Sequence, residues 1–137
     1  CRFGDPETQV VLPLLESDLL TVMMATTNGT LKDTDITFKN EFSCCVIMAS
    51  EGYPVSYEKG FAISIPDYLR DSVYVAGAAE KDGKLITSGG RVLGVVSVDA
   101  TLKGAIEKSY AKVNEISFEN SYYRHDIGSK ALKALEK

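Results

Sequence analysis

The densest run of chemistry-bearing residues in this 137-residue chain is Arg2-Phe3-Gly4-Asp5-Pro6-Glu7-Thr8-Gln9. It offers a guanidinium, a permissive glycine, a carboxylate where a helix would begin and a second carboxylate within the first turn. A helix N-terminus favours anions and supplies free N–H groups. Arginine suits bidentate contact with carboxylate or phosphate. Arg2 is therefore a candidate grip on an anionic substrate, with Asp5, Pro6 and Glu7 as candidate site residues beside it. The plainer reading is that Asp5 caps the helix and Arg2 pairs with Glu7 on the surface. A second candidate is Gly89-Gly90-Arg91. At a turn entering a strand, two glycines let backbone N–H groups approach an anion closely, and Lys59 is a further cation for the same role. There the plainer reading is a hairpin glycine pair followed by a strand-edge arginine. Arg124 and Asp126 read as an internal salt bridge that locks the last helix.

Other chemistries find little support. His125 is the only histidine, with no Cys or His partners at metal-ligand spacing, so no metal site is expected. Any Ser/His or Cys/His pair would rest on His125 alone. Fifteen Lys and Arg against nineteen Asp and Glu leave a net charge of −4. Bulk nucleic-acid binding needs a basic excess to displace counterions, so no nucleic-acid partner is expected, although a local basic pocket is compatible with this charge. No apolar run approaches the roughly 18 residues of a membrane span, so no membrane partner is expected either. The three cysteines are Cys1, Cys44 and Cys45. Their odd number, and the opposed faces of neighbours on a strand, favour reduced thiols and a cytoplasmic location over a disulfide framework. The seven tyrosines are scattered and read as core or rim. The chain has no charged-then-apolar leader and no initiator Met, which leads us to expect a fragment of something longer.

These residues must be positioned by an α+β fold. Periodicity at Val10, Val11, Leu14 and Leu15 predicts a helix over about 6–16, started by Asp5-Pro6 and interrupted by Pro13. A second helix, over about 18–27, starts at Ser17-Asp18 and stops near Asn28-Gly29. Residues 31–42 are polar and irregular, a linker or edge strand. Ser43–Ala49 is a continuous apolar run fit for a buried strand. Gly60–Ile65 and Val73–Ala76 are shorter strand candidates, Lys81-Asp82-Gly83 signals a hairpin leading into Lys84–Thr87, and Arg91–Val98 is the longest strand. Leu102, Ala105, Ile106, Tyr110, Val113 and Ile116 share one helical face behind a Thr101 or Asp99 cap. Ile127–Leu135 closes the chain as a short amphipathic helix. The expectation is a mostly antiparallel sheet or barrel-like sandwich across about 42–98 with helices packed on it.

Four stretches, in order, resemble one family. Arg2–Gln9, Gly52-Tyr53-Pro54 with Tyr57-Glu58-Lys59-Gly60, Ser88-Gly89-Gly90-Arg91-Val92-Leu93, and Tyr123-Arg124-His125-Asp126-Ile127-Gly128 are similar to motifs of the phosphoribosylamine–glycine ligases, ATP-grasp enzymes of purine synthesis. Glu51 and Val55 stand where the family usually has glycines, and Ser88 where it has asparagine. The resemblance spans essentially the whole chain. It implies residues 1–30 as the last helices of an ATP-grasp domain, 31–41 as a linker and 42–137 as the ligase C-terminal domain. It further implies a reaction joining glycine to 5-phosphoribosylamine through a glycyl phosphate, with ATP going to ADP and phosphate. Arg2 would hold glycine or its acyl phosphate. Asp5 and Glu7 would accept hydrogen bonds from the attacking amine or ribose hydroxyls. Arg91, with Gly89, Gly90 and Lys59, would contact the 5′-phosphate. ATP and magnesium (or manganese) belong, on this resemblance, to upstream segments of a longer ligase chain; the fragment alone is expected to hold neither and to be inactive. The competing reading is a non-catalytic module that packs and scaffolds.

Overall fold

Alternation along β1 (Phe42–Ser50) decides the architecture. Cys44, Val46 and Met48 point to one face and are buried, while Ser43, Cys45 and Ile47 point to the other and are half-covered. β5 (Arg91–Asp99) runs antiparallel beside it, with Val46 opposite Val95 and Met48 opposite Leu93, so two buried stripes coincide. α3 (Leu102–Val113) lays Ala105, Ile106, Ser109 and Val113 over that stripe. Val46, Met48, Leu93 and Val95 are almost wholly enclosed, and Leu69, Ile116 and Phe118 complete the core. Each such aliphatic side chain contributes about 1.5–3 kcal/mol on burial. The Ser109 hydroxyl, enclosed with them, donates to the Cys44 carbonyl at 2.9 Å, so its polar group is satisfied.

This computed structural model describes residues 4–135. β2 (Val73–Val75) pairs on the outer side of β5, and β6 (Ser121–Tyr122) pairs with the end of β1. The four-stranded sheet therefore has the order β2-β5-β1-β6, antiparallel throughout. β3 (Ala78–Lys81) and β4 (Lys84–Thr87) form a separate hairpin. Its turn residues, Asp82 and Gly83, have φ of 51° and 72°, the paired left-handed geometry that matches strand twist. This is the α+β class that the periodicities predict. It takes the form of one four-stranded sheet and a satellite hairpin.

The N-terminal stretch docks on the back of the sheet. α1 (Thr8–Val11) gives way at Pro13 to a tight turn over Leu12–Leu14, because proline cannot donate to a continuing helix. Gln9, on α1, lies with Cys45 and Ile47 around Gly94, on the face opposite α3. α2 (Leu19–Asn28) starts where Asp18 accepts from the Thr21 N–H at 2.7 Å and ends at Gly29, φ 72°. The segment after α2 bonds back onto the chain before it. Lys39 donates to the Leu14 carbonyl at 2.8 Å and Glu16 to that of Thr37 at 3.0 Å.

Some expectations are corrected. No side chain among the described residues caps α1, which begins at Thr8; Asp5 and Pro6 lie in the preceding turn, where Asp5 has another partner. Gly60–Ile65 is not a strand. Ile63 donates to the Leu85 carbonyl and Ser64 to that of Ser117, so successive residues bond to different neighbours and only isolated bridges result. α3 ends at Val113, yet Ile116 still reaches the core from the following turn. β6 carried no local signal, being two exposed residues paired only by their position. The last helix is α4 (Ser129–Leu135).

Candidate functional site

The register of β1 and β5 shifts between Met48 and Ala49, bringing Ala49 opposite Arg91. Such a shift bends the pair and re-aims the side chains beyond it. Arg91, at the start of β5, reaches the N-terminal turn. Its Nη2 lies 3.0 Å from Asp5 Oδ2, and its Nη1 donates to the main-chain carbonyl of Asp5 at 2.9 Å. Gln9 Nε2 donates to the other Asp5 oxygen at 3.0 Å. Arg91 and Asp5 remain 39% and 47% exposed, so the pair is open to a ligand. Within the turn, the N–H and hydroxyl of Thr8 both donate to the Gly4 carbonyl, at 3.0 and 2.7 Å. The Glu7 carboxylate sits against the Gly4 Cα, in the space a Cβ there would take. Asp5 is thus brought to Arg91, Pro6 follows it in the turn, and the Glu7 carboxylate is turned to Gly4. Arg2 lies outside the described residues.

The Gly89 N–H is not free for the anion cradle that the Gly89-Gly90 spacing predicts. The N–H groups of Ser88 and Gly89 both donate to the Gly77 carbonyl, at 2.8 and 2.9 Å. A Cβ on Gly77 would stand 2.7 Å from Gly89 Cα, so both positions need glycine for close backbone approach. Buried Ser50 holds the other side, its N–H donating to the Gly90 carbonyl at 2.8 Å and its hydroxyl to that of Gly89 at 3.0 Å. The ring of Tyr53 lies directly on Gly90 Cα. Tyr53 packs edge-on against Tyr57 with centroids 5.9 Å apart, and Lys59 Nζ lies 5.5 Å from the Tyr57 centroid. A string of contacts therefore runs from Asp5 through Arg91 and Gly90 to Tyr53, Tyr57 and Lys59. Gly77 and Ser50 escape sequence reasoning, and Tyr53 enters it only within the Gly52-Tyr53-Pro54 motif, because only the packed turn gives them a task.

Elsewhere, Arg124 donates from Nε and Nη2 to the two oxygens of Asp126, at 2.9 and 2.7 Å. The pair raises the Arg124 pKa and lowers that of Asp126. Tyr110 anchors the same segment, donating to the Arg124 carbonyl and accepting from the Ile127 N–H. Burial, then the neighbouring Cys44 and Asp5, push the Cys45 thiol up to about 12, which leaves it a protonated, unreactive group. A groove of about 610 Å³ floored by Ile63, Ile65, Val73 and Leu85, with Arg70 and Lys84 at its rim, contains none of the candidate residues. Among the described residues no three His, Cys, Asp or Glu side chains converge to hold a metal ion. No helix among them is long and apolar enough to cross a membrane.

Fold and edge together define a small α+β domain that presents basic side chains beside an acidic turn. Residues 43–130 match the family described as phosphoribosylglycinamide synthetase, C domain, and the chain belongs to that family. It is 47% identical to the phosphoribosylamine–glycine ligase of Caldanaerobacter subterraneus subsp. tengcongensis, over 93% of this chain and 31% of that protein. It is 44% identical to the bifunctional purine biosynthetic protein purD of Dictyostelium discoideum, over 100% of this chain and 17% of that protein. The crystal structure of phosphoribosylamine–glycine ligase from Thermotoga maritima superposes with a TM-score of 0.82 at 36% identity, covering 92% of this chain and 31% of that one. The chain thus spans about a third of the length of the single-function ligases it matches.

Proposed function

We propose that this chain supplies the C-terminal part of an ATP-dependent, cytoplasmic carbon–nitrogen ligase that joins glycine to 5-phosphoribosylamine, giving glycinamide ribonucleotide, ADP and phosphate. Residues 1–30 would close the ATP-grasp domain, 31–41 link, and 42–137 form the C-terminal domain. The observation that carries this reading is the meeting of Asp5 and Arg91, which joins two family motifs at one end of the sheet. The ATP and magnesium (or manganese) that this reaction uses would be held by the rest of the ligase chain.

On this reading the edge binds and orients the sugar phosphate. Arg91 keeps donors beyond the two committed to Asp5, because a guanidinium carries five. These, with the Lys59 ammonium, neutralise the 5′-phosphate, while Gly89 and Gly90 provide the tight turn that brings Arg91 to the edge. Asp5 and Glu7 accept from the attacking amine or the ribose hydroxyls. Arg2 holds the glycine carboxylate or the acyl phosphate that forms from it. The contribution is positioning and charge neutralisation at the acyl-transfer step. In the whole ligase chain, Arg91→Ala is expected to raise the KM for phosphoribosylamine at least 10-fold, the loss of a charged contact of roughly 1.4 kcal/mol or more. Unchanged kinetics would remove Arg91 from the site and favour a packing module with no catalytic part.

A further inference from the structure

Tyr53 packs on Gly90, in the turn that carries Arg91. It sits in the loop after β1, whose Val55 is 92% exposed, and is itself 43% exposed. Its ring carbons occupy the space a Cβ on Gly90 would take. Main chain also fixes the turn: Gly77 donates to the Arg91 carbonyl at 2.8 Å and receives the N–H groups of Ser88 and Gly89. The turn is held by the Gly77 main chain, by Ser50 and by one aromatic ring. The same ring is packed on Tyr57, against whose face Lys59 is stationed. Displacing Tyr53 therefore disturbs both cations assigned to the phosphate, Arg91 through Gly90 and Lys59 through Tyr57.

We infer that Tyr53 is a positioning residue for phosphate-monoester binding, setting the Arg91 turn through Gly90 and Lys59 through Tyr57. The inference rests on the reading of Arg91 and Lys59 as phosphate contacts. A flexible cation held in the wrong place loses binding without losing charge, and small misplacements in a site carry large kinetic costs. In each described contact it is the Tyr53 ring that packs, so the ring and not the hydroxyl performs the task.

The test is steady-state kinetics of the whole ligase chain, with KM measured separately for phosphoribosylamine, glycine and ATP. Tyr53→Ala should raise the KM for phosphoribosylamine roughly 10-fold and leave the other two KM values and kcat within about twofold. Tyr53→Phe should restore the wild-type KM. Gly90→Ala, which drives a methyl group into the ring, should reproduce the selective rise with Tyr53 present, and it carries the test if Tyr53→Ala does not fold. If Arg91→Ala leaves the phosphoribosylamine KM unchanged, the phosphate reading itself fails. If Arg91→Ala raises it while the Tyr53 and Gly90 variants do not, or all three KM values rise together, or Phe does not rescue, Tyr53 has no positioning role.

Discussion

Arg91 and Asp5 stand 86 positions apart in the chain, yet one guanidinium grips both the carboxylate and the main-chain carbonyl of that aspartate. This double contact ties the N-terminal turn to the start of β5. It also decides which face of the sheet α1 covers, because Gln9 follows Asp5 onto the surface around Gly94. A partly exposed ion pair stabilises by less than about 1 kcal/mol. Arg91→Ala or Asp5→Asn should therefore lower global stability only slightly but speed hydrogen exchange at the Thr8 and Val11 amides. Exchange at Val46 should be unaffected. Equal protection at Thr8 in variant and wild type would show that the turn is held by something else.

Gly77 is expected to be one of the costlier surface-loop positions. A methyl group there meets Gly89 Cα and the Arg91 carbonyl, both main-chain atoms that cannot rotate away. Overpacking of this kind costs about 1–3 kcal/mol. Urea denaturation of Gly77→Ala should register such a loss, whereas Gly60→Ala, at a site with open space but φ of 92°, should lose less or fail for the separate reason of backbone strain. A wild-type midpoint for Gly77→Ala would contradict the close approach.

Acid should loosen the start of α3. Asp99 accepts from Lys108 at 2.6 Å and from the N–H and hydroxyl of Thr101 at 2.9 and 3.0 Å, and these partners, Lys108 first, pull its pKa down to about 2. A carboxylate with a depressed folded pKa contributes stability that is present above its unfolded value near 4 and is lost as pH falls toward 2. Stability measured between pH 5 and 2 should fall less steeply for Asp99→Asn than for the wild type. Parallel curves would deny Asp99 that role.

The opposite sign applies to Cys45. Its folded pKa, about 12, exceeds the ordinary thiol value of 9.0, so its contribution is intact below about pH 9 and is lost as pH rises through the folded value. Native protein at pH 8 should leave Cys45 unlabelled by iodoacetamide, with modification appearing only as the chain unfolds. Rapid labelling of Cys45 in the native state would mean that α1 does not stay seated over it.

Much of the fold is legible from local chemistry. The β3–β4 hairpin follows from Lys81-Asp82-Gly83, since Gly and Asp tolerate the left-handed backbone a two-residue turn requires. α2 follows from Asp18 and Gly29, and α3 from Thr101 and a regular apolar face, because caps and periodicity act within a turn or two. Gly60–Ile65 misleads for the same reason. Its composition suits a strand, but its backbone partners, Leu85 and Ser117, are distant in sequence and lie on different neighbours.

The candidate site divides along the same line. The residues Asp5, Glu7, Lys59, Gly89, Gly90 and Arg91 could be singled out by type and spacing, and the motif order by itself pointed to the family. What those residues touch could not. Asp5 was as good a helix cap as an ion-pair partner until the register of β1 on β5 placed Arg91 beside it. Gly89 was as good an anion cradle as a packing glycine until Gly77 took its N–H. Local backbone preference acts over a few residues and is written in their order. Pairing across 86 residues depends on which strands lie side by side, and only the packed sheet decides that.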